Sequence, residues 1–280
     1  VNQKSEPSVA TELLAATVVN DEFVRVEWKK FIMNDLTTVF LEKSFDDGAN
    51  WSTVASLPPM STSYTDTAVN VYENYYLYRL RARDSCGFTS PYSNIGTSIL
   101  LLAEPGLNGN TLNWNPYTEW EKGVDYYEIQ VFRHGTGEWV TVDIVNGDLT
   151  SYIDNSFFDD LEEFCYRVIA HESGGNQAAS VSNTDCLPIT PEIYAPNAFT
   201  PNADNVNDYF YLQGVYIREF HMKIFNRWGQ EIFESNHIND EWDGTFNGEP
   251  VPEGVYVWVA EATSNNGREF TERGTVTLIR

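Results

Sequence analysis

Positive charge is what this chain has least of. Its 280 residues hold 17 Lys and Arg against 41 Asp and Glu, a formal net charge of -24 at pH 7 and a pI near 4.3. Nothing in it could neutralise a run of phosphates, which excludes nucleic acid as a partner. The same excess excludes docking on an anionic membrane surface. Long apolar runs are also missing: a run such as Ile99 to Ala103 falls far short of the ~20 residues of a membrane helix, so no membrane span is expected. The four histidines, His134, His171, His221 and His237, are scattered singly. No HExxH, GxSxG, P-loop or GxGxxG pattern occurs, and no enzyme is expected. Neither an initiator Met nor a signal peptide is present, so the expectation is an excised C-terminal piece of a longer protein.

What is there is core-forming material. Hydrophobic residues make up 42% and aromatics 14%, too much for a disordered acidic polymer. At roughly 100–150 residues per domain the length predicts two or three domains. An internal repeat divides the first two-thirds. Trp28 in VRVEW answers Trp114 in TLNW. FLEKSFDDGANWSTV answers YEIQVFRHGTGEWVTV. Tyr64 and Asp66 of TSYTD answer Tyr152 and Asp154 of TSYID, YLYRLRA answers FCYRVIA, and PYSN ending at Asn94 answers VSN ending at Asn183. A nearly constant offset, kept in order, predicts two copies of one domain at residues 1–98 and 99–190.

Within each copy the apolar period is two, as in Val24, Val26 and Trp28 or Tyr76, Tyr78, Leu80 and Ala82. Strand-like runs recur between DDG, PP, GTG and GGN turn signals, and helical periodicity is absent. The pattern predicts an all-β chain of sandwiches. With its Trp on the second strand and Y-x-Y-R-L-R-A followed by S-P-Y-S-N, it resembles the fibronectin type III family. The resemblance implies that Tyr76 forms a tyrosine corner, its hydroxyl returning to backbone. The second copy has Phe164 there and must close its corner another way.

From Pro191 the vocabulary changes, after a break at LPITPE in which Pro188 and Pro191 suggest a short stiff linker. PNAFTPNADNVNDYF is followed by IFNRWGQEIFES, then WDGTFNGEPVPEGVYVW, then GTVTLIR. Residues 191–280 closely resemble the C-terminal domain family of gliding-motility-associated proteins, the type B sorting domains of the bacterial type IX secretion system. The resemblance implies a third, immunoglobulin-like sandwich that marks its parent for export across the outer membrane to the cell surface. It implies two partners, the type IX translocon and an outer-membrane protein of the PorP/SprF type, and a surface adhesin or surface enzyme as cargo. Carried over as the sorting motif are Arg227, Trp228 and Gly229, Trp242, Asp243 and Gly244, Gly254 and Tyr256, and Gly274, Leu278 and Arg280. Read from the residues alone, NRWG is a hairpin turn, WDG and FNG are turns requiring positive φ, and most of these positions are turn and core.

Three further constellations stand out. Asn202, Asp204, Asn207 and Asp208 offer four side-chain oxygens within seven residues. They read either as a Ca²⁺ loop without the EF-hand spacing or as an Asx-rich turn that satisfies its own backbone. Cys165 and Cys186 are placed opposite each other by a hairpin folded at GGN, residues 174–176. An export tag implies an oxidising destination, and a disulfide closing about 22 residues would stabilise by about 3 kcal/mol. Cys86 has no cross-strand mate, and is either free or paired outside the chain. Trp51, Trp120, Trp139 and Trp242 lie near turns where rings could stack on sugars, but the repeat equivalence of two of them favours a core or sheet-face role. The run Asp159, Asp160, Glu162 and Glu163 reads as solvated and not as a glycosidase pair.

The acidity is concentrated in the middle: residues 99–190 carry 3 basic and 15 acidic side chains. The expected protein is a monomeric, secreted surface protein of gliding-adhesin type, with two fibronectin-like sandwiches as a stalk and a third as the export signal. The alternatives are a ligand- or carbohydrate-binding module, or an accessory region of a surface enzyme.

Overall fold

The computed structural model describes residues 10–32, 35–107, 109–118, 120–156, 163–174, 177–264 and 267–280. Every helix or strand among them is a β-strand. Alternating side chains explain why: Tyr78, Leu80 and Ala82 are fully buried while Arg79 and Arg81 between them are partly exposed, so each strand offers one face to a core.

Three such cores form. The first lies between a three-stranded sheet (Leu13–Val19, Phe23–Trp28, Ser63–Asp66) and a four-stranded sheet ordered Ser52–Leu57, Leu36–Ser44, Leu77–Asp84, Gly96–Thr97. Trp28, Val39, Leu41 and Tyr78 fill it. The second repeats the plan. Ser151–Asp154, Asn110–Trp114 and Leu101–Glu104 face a sheet of Glu138–Asn146, Val124–Arg133, Glu163–Glu172 and Ala179–Val181, with Asp185–Pro188 also on Glu163–Glu172. The third is built on one five-stranded sheet, ordered Ala198–Phe199, Glu269–Leu278, Gly254–Ser264, Ile217–Phe225, Glu231–Ser235. Trp242, Phe210 and Phe199 pack on its inner face.

The sequence repeat reappears as a repeated hydrogen-bond set. The Asn94 side chain accepts from Leu13 N at 2.7 Å and donates to Leu13 O at 3.0 Å; Asn183 does the same to Leu101 at the same distances. Ser93 Oγ accepts from Leu80 N, as Ser182 Oγ does from Val168 N. These amides stand in for a missing strand, pairing backbone groups of the first strand that would otherwise be buried without partners. Asp66 and Asp154, both 2% exposed, each accept the amide two residues on and a buried tyrosine hydroxyl, from Tyr78 at 3.0 Å and Tyr166 at 2.7 Å. Burial, then the neighbouring Asp, pushes both phenols far above the ordinary tyrosine range, so they remain donors.

The copies differ at the corner. The Tyr76 hydroxyl accepts from Asn70 N at 2.7 Å. In the second copy Phe164 has no hydroxyl, and its neighbour Cys165 pairs in register with Cys186 and is joined to it by a disulfide. Gly175 and Asn176 of the GGN turn lie outside the described residues; Cys86 is exposed with a free thiol. The LPITPE junction is less of a spacer than its prolines suggest, because Leu187 and Ile189 are buried in the second core. The first two sandwiches are tied directly. Ser180 Oγ donates to Ala16 O at 2.7 Å, Val181 N to Thr17 Oγ1 at 2.9 Å, and Trp120 Nε1 to Leu14 O at 2.7 Å.

Asn183→Ala leaves the N–H and C=O of Leu101 unpaired in a buried place, a loss of about 1–3 kcal/mol for each group stranded. Urea denaturation of the full chain is expected to show the second sandwich destabilised by about 2 kcal/mol or more, with the first unchanged.

Candidate functional site

The motif residues of the third sandwich gather at one end of it. Ile217–Phe225 and Glu231–Ser235 are joined by a turn in which Asn226 Oδ1 accepts from Trp228 N at 3.0 Å and Gln230 N at 3.1 Å. Gly229 takes φ 78° there, which glycine adopts without a steric penalty. This turn holds Trp228 at the hairpin tip, 86% exposed. The reading of these positions as turn and core therefore fits the turn but not the Trp, which has no core to enter. Register brings the other motifs alongside: Phe225 pairs with Val257 and Gly254 with Leu278, so the start of one strand and the end of another lie beside the hairpin tip.

Arg280 closes this end. Its backbone N–H is accepted by Glu253 Oε1 at 3.0 Å, and its guanidinium donates to Val251 O and, at 3.1 Å, to Gly244 O. Gly244 needs its residue type twice over: its φ is 77°, and a Cβ there would meet Leu278 Cδ1 at 2.7 Å. Asp243 Oδ1 accepts from Thr245 N, and Trp242, 1% exposed, donates its Nε1 to Thr245 O. Tyr256 packs edge-on against Trp242 at 5.1 Å and donates to Pro252 O. Its phenol is raised by burial, while the charges of Arg227 and Arg280 pull the other way. Gly274 alone sits apart, mid-sheet, where the Trp258 ring lies across it and a Cβ would come within 2.6 Å. Glu253 was not singled out in the sequence; among 41 carboxylates nothing local marks it.

The loop from Asn202 to Asp208 flanks this end. Asp208 Oδ1 accepts from Asn202 N and Ala203 N, and its Oδ2 from Asn205 N at 2.7 Å. Asn202 Oδ1 accepts from Asp204 N, and Asp204 Oδ1 from Val206 N. Burial works to raise the Asp208 carboxyl, but the amides of Asn205, Ala203, Asn202 and Asp204 outweigh it and hold it below the usual carboxylate range. The loop and Tyr194, Tyr209 and Tyr211 line an open cleft of about 570 Å³.

Elsewhere the candidate chemistry is already committed. Trp51 and Trp139 each have an arginine on the ring, Arg79 at 4.0 Å and Arg167 at 4.1 Å, the same offset apart in the repeat. Those faces hold cations, not open sugar platforms. Trp120 is buried. The group of three metal-type ligands found among the described residues, His134, Glu163 and Cys165, includes a sulfur already in the disulfide. Asp159, Asp160 and Glu162 lie outside the described residues.

Because Asp208 has its folded pKa depressed, its contribution is present above the unfolded value of about 4 and is lost as pH falls through the folded one. Asp208→Asn is therefore expected to destabilise the third sandwich at pH 7, with the difference from the parent chain shrinking below about pH 4. Denaturation midpoints measured across that window check it.

No curated protein matches the chain. Among solved structures, a Fn3-like protein from Clostridium thermocellum is 20% identical, covering 33% of this chain and 92% of its own, with a TM-score of 0.29. The FN1–FN3 domains of chicken CNTN1 are 12% identical over 98% of this chain and 99% of theirs, with a TM-score of 0.25. Residues 193–278 match the family model described as the CHU_C type IX secretion signal domain. The third sandwich thus carries a type IX secretion signal, which directs its chain to the cell surface or out of the cell.

Proposed function

We propose that the hairpin end of the third sandwich is the surface the export machinery reads, with Trp228 as its anchor and Arg227 beside it. The two fibronectin-like sandwiches act as a stalk that carries a surface adhesin. Trp228 is the observation that supports this reading. A tryptophan 86% exposed at a tip whose backbone is fixed on both sides contributes nothing to its own core. Large, rigid aromatic side chains of this kind are the residues that carry binding energy at interfaces. The direct hydrogen bonds between the first two sandwiches support the stalk. The outer-membrane component of PorP/SprF type is the proposed partner for the Trp228 end.

Trp228→Ala in the full chain, expressed in a type IX-competent bacterium, is expected to cut secretion about 30-fold, the effect of losing a hot-spot residue. Its stability should stay within about 0.5 kcal/mol of the parent, as for other surface substitutions. Undiminished secretion would show that Trp228 is not the anchor.

For the loop from Asn202 to Asp208 we propose the self-capped turn over the calcium site, since five backbone N–H groups already hold its oxygens. Calorimetric titration of the full chain with Ca²⁺ is expected to give no heat and no shift in melting temperature. Binding that disappears in Asp208→Asn would establish calcium there instead.

A further inference from the structure

The two copies of the repeat diverge where the second meets the third sandwich. In the first copy the position facing Asp66 across the strand pair is Val24, and the position facing Tyr78 is Lys43. Lys43 lies 2.7 Å from the buried Asp66 carboxylate and neutralises it. In the second copy the residues in those places are Asn110, facing Asp154, and Val131, facing Tyr166. The corner tyrosine is Phe164. One ammonium and one hydroxyl have gone, and an amide has arrived.

The side chain that meets two of these changes, Phe164 and Asn110, belongs to the third sandwich. Tyr216 is 9% exposed and lies in the core of the second. Its ring stacks on Phe164 at 5.9 Å. Its hydroxyl donates to Asn110 Oδ1 at 2.6 Å, Asn110 Nδ2 donates to Tyr166 Oη at 2.8 Å, and Tyr166 donates to Asp154 at 2.7 Å. A continuous buried relay therefore runs from one domain to the carboxylate of the next. Tyr216 also has φ 57°, a left-handed conformation that is a genuine outlier for a bulky side chain and persists only where the surroundings over-determine it.

We infer that Tyr216 is a lock that fastens the third sandwich to the second, so that residues 99–280 form one cooperative body and the Trp228 end is presented in a fixed orientation. The locking stands on the geometry alone; its consequence for export rests on the sorting reading above. A sandwich whose docking socket exists only when its neighbour is folded also makes presentation of the signal conditional on that neighbour.

A double-mutant cycle in the full chain tests the lock, with Tyr216→Phe removing the relay's donor and Asn110→Val restoring the first copy's residue. Amide hydrogen exchange at Glu192–Tyr194 and Gln213–Val215 is the readout. Each single variant is expected to speed exchange about tenfold, as for loss of one buried hydrogen bond, with the double no faster than either. Additive effects, or none, would overturn the lock. Tyr216→Asn, whose residue tolerates the left-handed backbone, removes the ring without imposing strain and is expected to split thermal unfolding of 99–280 into two transitions. A single unchanged transition overturns the cooperative body. Secretion of Tyr216→Asn is read in parallel with that of Trp228→Ala. Loss in both supports conditional presentation. Loss in Trp228→Ala alone overturns that consequence while leaving the sorting reading intact.

Discussion

Two buried carboxylates in a chain of net charge -24 set the terms for much of this structure. Asp66 and Asp154 each sit 2% exposed within a sandwich, and a carboxylate removed from water must be given donors or a counter-charge. Both take an amide two residues on and a tyrosine hydroxyl. What completes the set differs. The first sandwich uses the Lys43 ammonium. The second has Val131 in its place and extends the network through Asn110 to a tyrosine of the neighbouring domain. One electrostatic requirement thus closes a domain in one copy and joins two domains in the other.

The same economy governs the aromatics. Trp28, Trp114, Trp242 and Trp258 are buried and anchor cores; Trp51 and Trp139 lie beneath arginines on the sheet faces. Against that background Trp228 is the exception, a large apolar ring held in water by a turn that its own Asn226 braces. Arg280 braces the same end from the other side by binding two carbonyls. The end of the third sandwich thus holds an exposed ring between hydrogen bonds on both sides.

Much of this was legible in the residues. The nearly constant offset of the repeat related Asp66 to Asp154, Tyr78 to Tyr166 and Trp51 to Trp139, because a repeated fold repeats the positions that its core and sheet faces require. Period-two alternation and turn pairs such as Asn-Gly identified strands and hairpins for the same local reason, and the hairpin arithmetic set Cys165 opposite Cys186. The motifs of the last domain were readable as a string. The relation among them was not: that Arg280, Gly244, Gly254 and Trp228 share one end follows from strand register, a long-range quantity.

The sequence by itself determined the all-β class, the repeat and the export signal, since periodicity, turn chemistry and motif order are properties of the chain as written. Only the tertiary structure decided which of several equally polar or aromatic residues are partnered. Phe164 reads as a lost hydroxyl and Asn110 as an ordinary strand residue until Tyr216 is seen between them. Trp228 reads as part of a hairpin turn and of the sorting motif, and how far its ring stands in solvent is seen only in the fold. The reason is the same in each case. Burial and hydrogen bonding are set by what lies across the interface, and that neighbour is more than a hundred residues away for Asn110, while nothing local tells that the Trp228 ring stays 86% exposed.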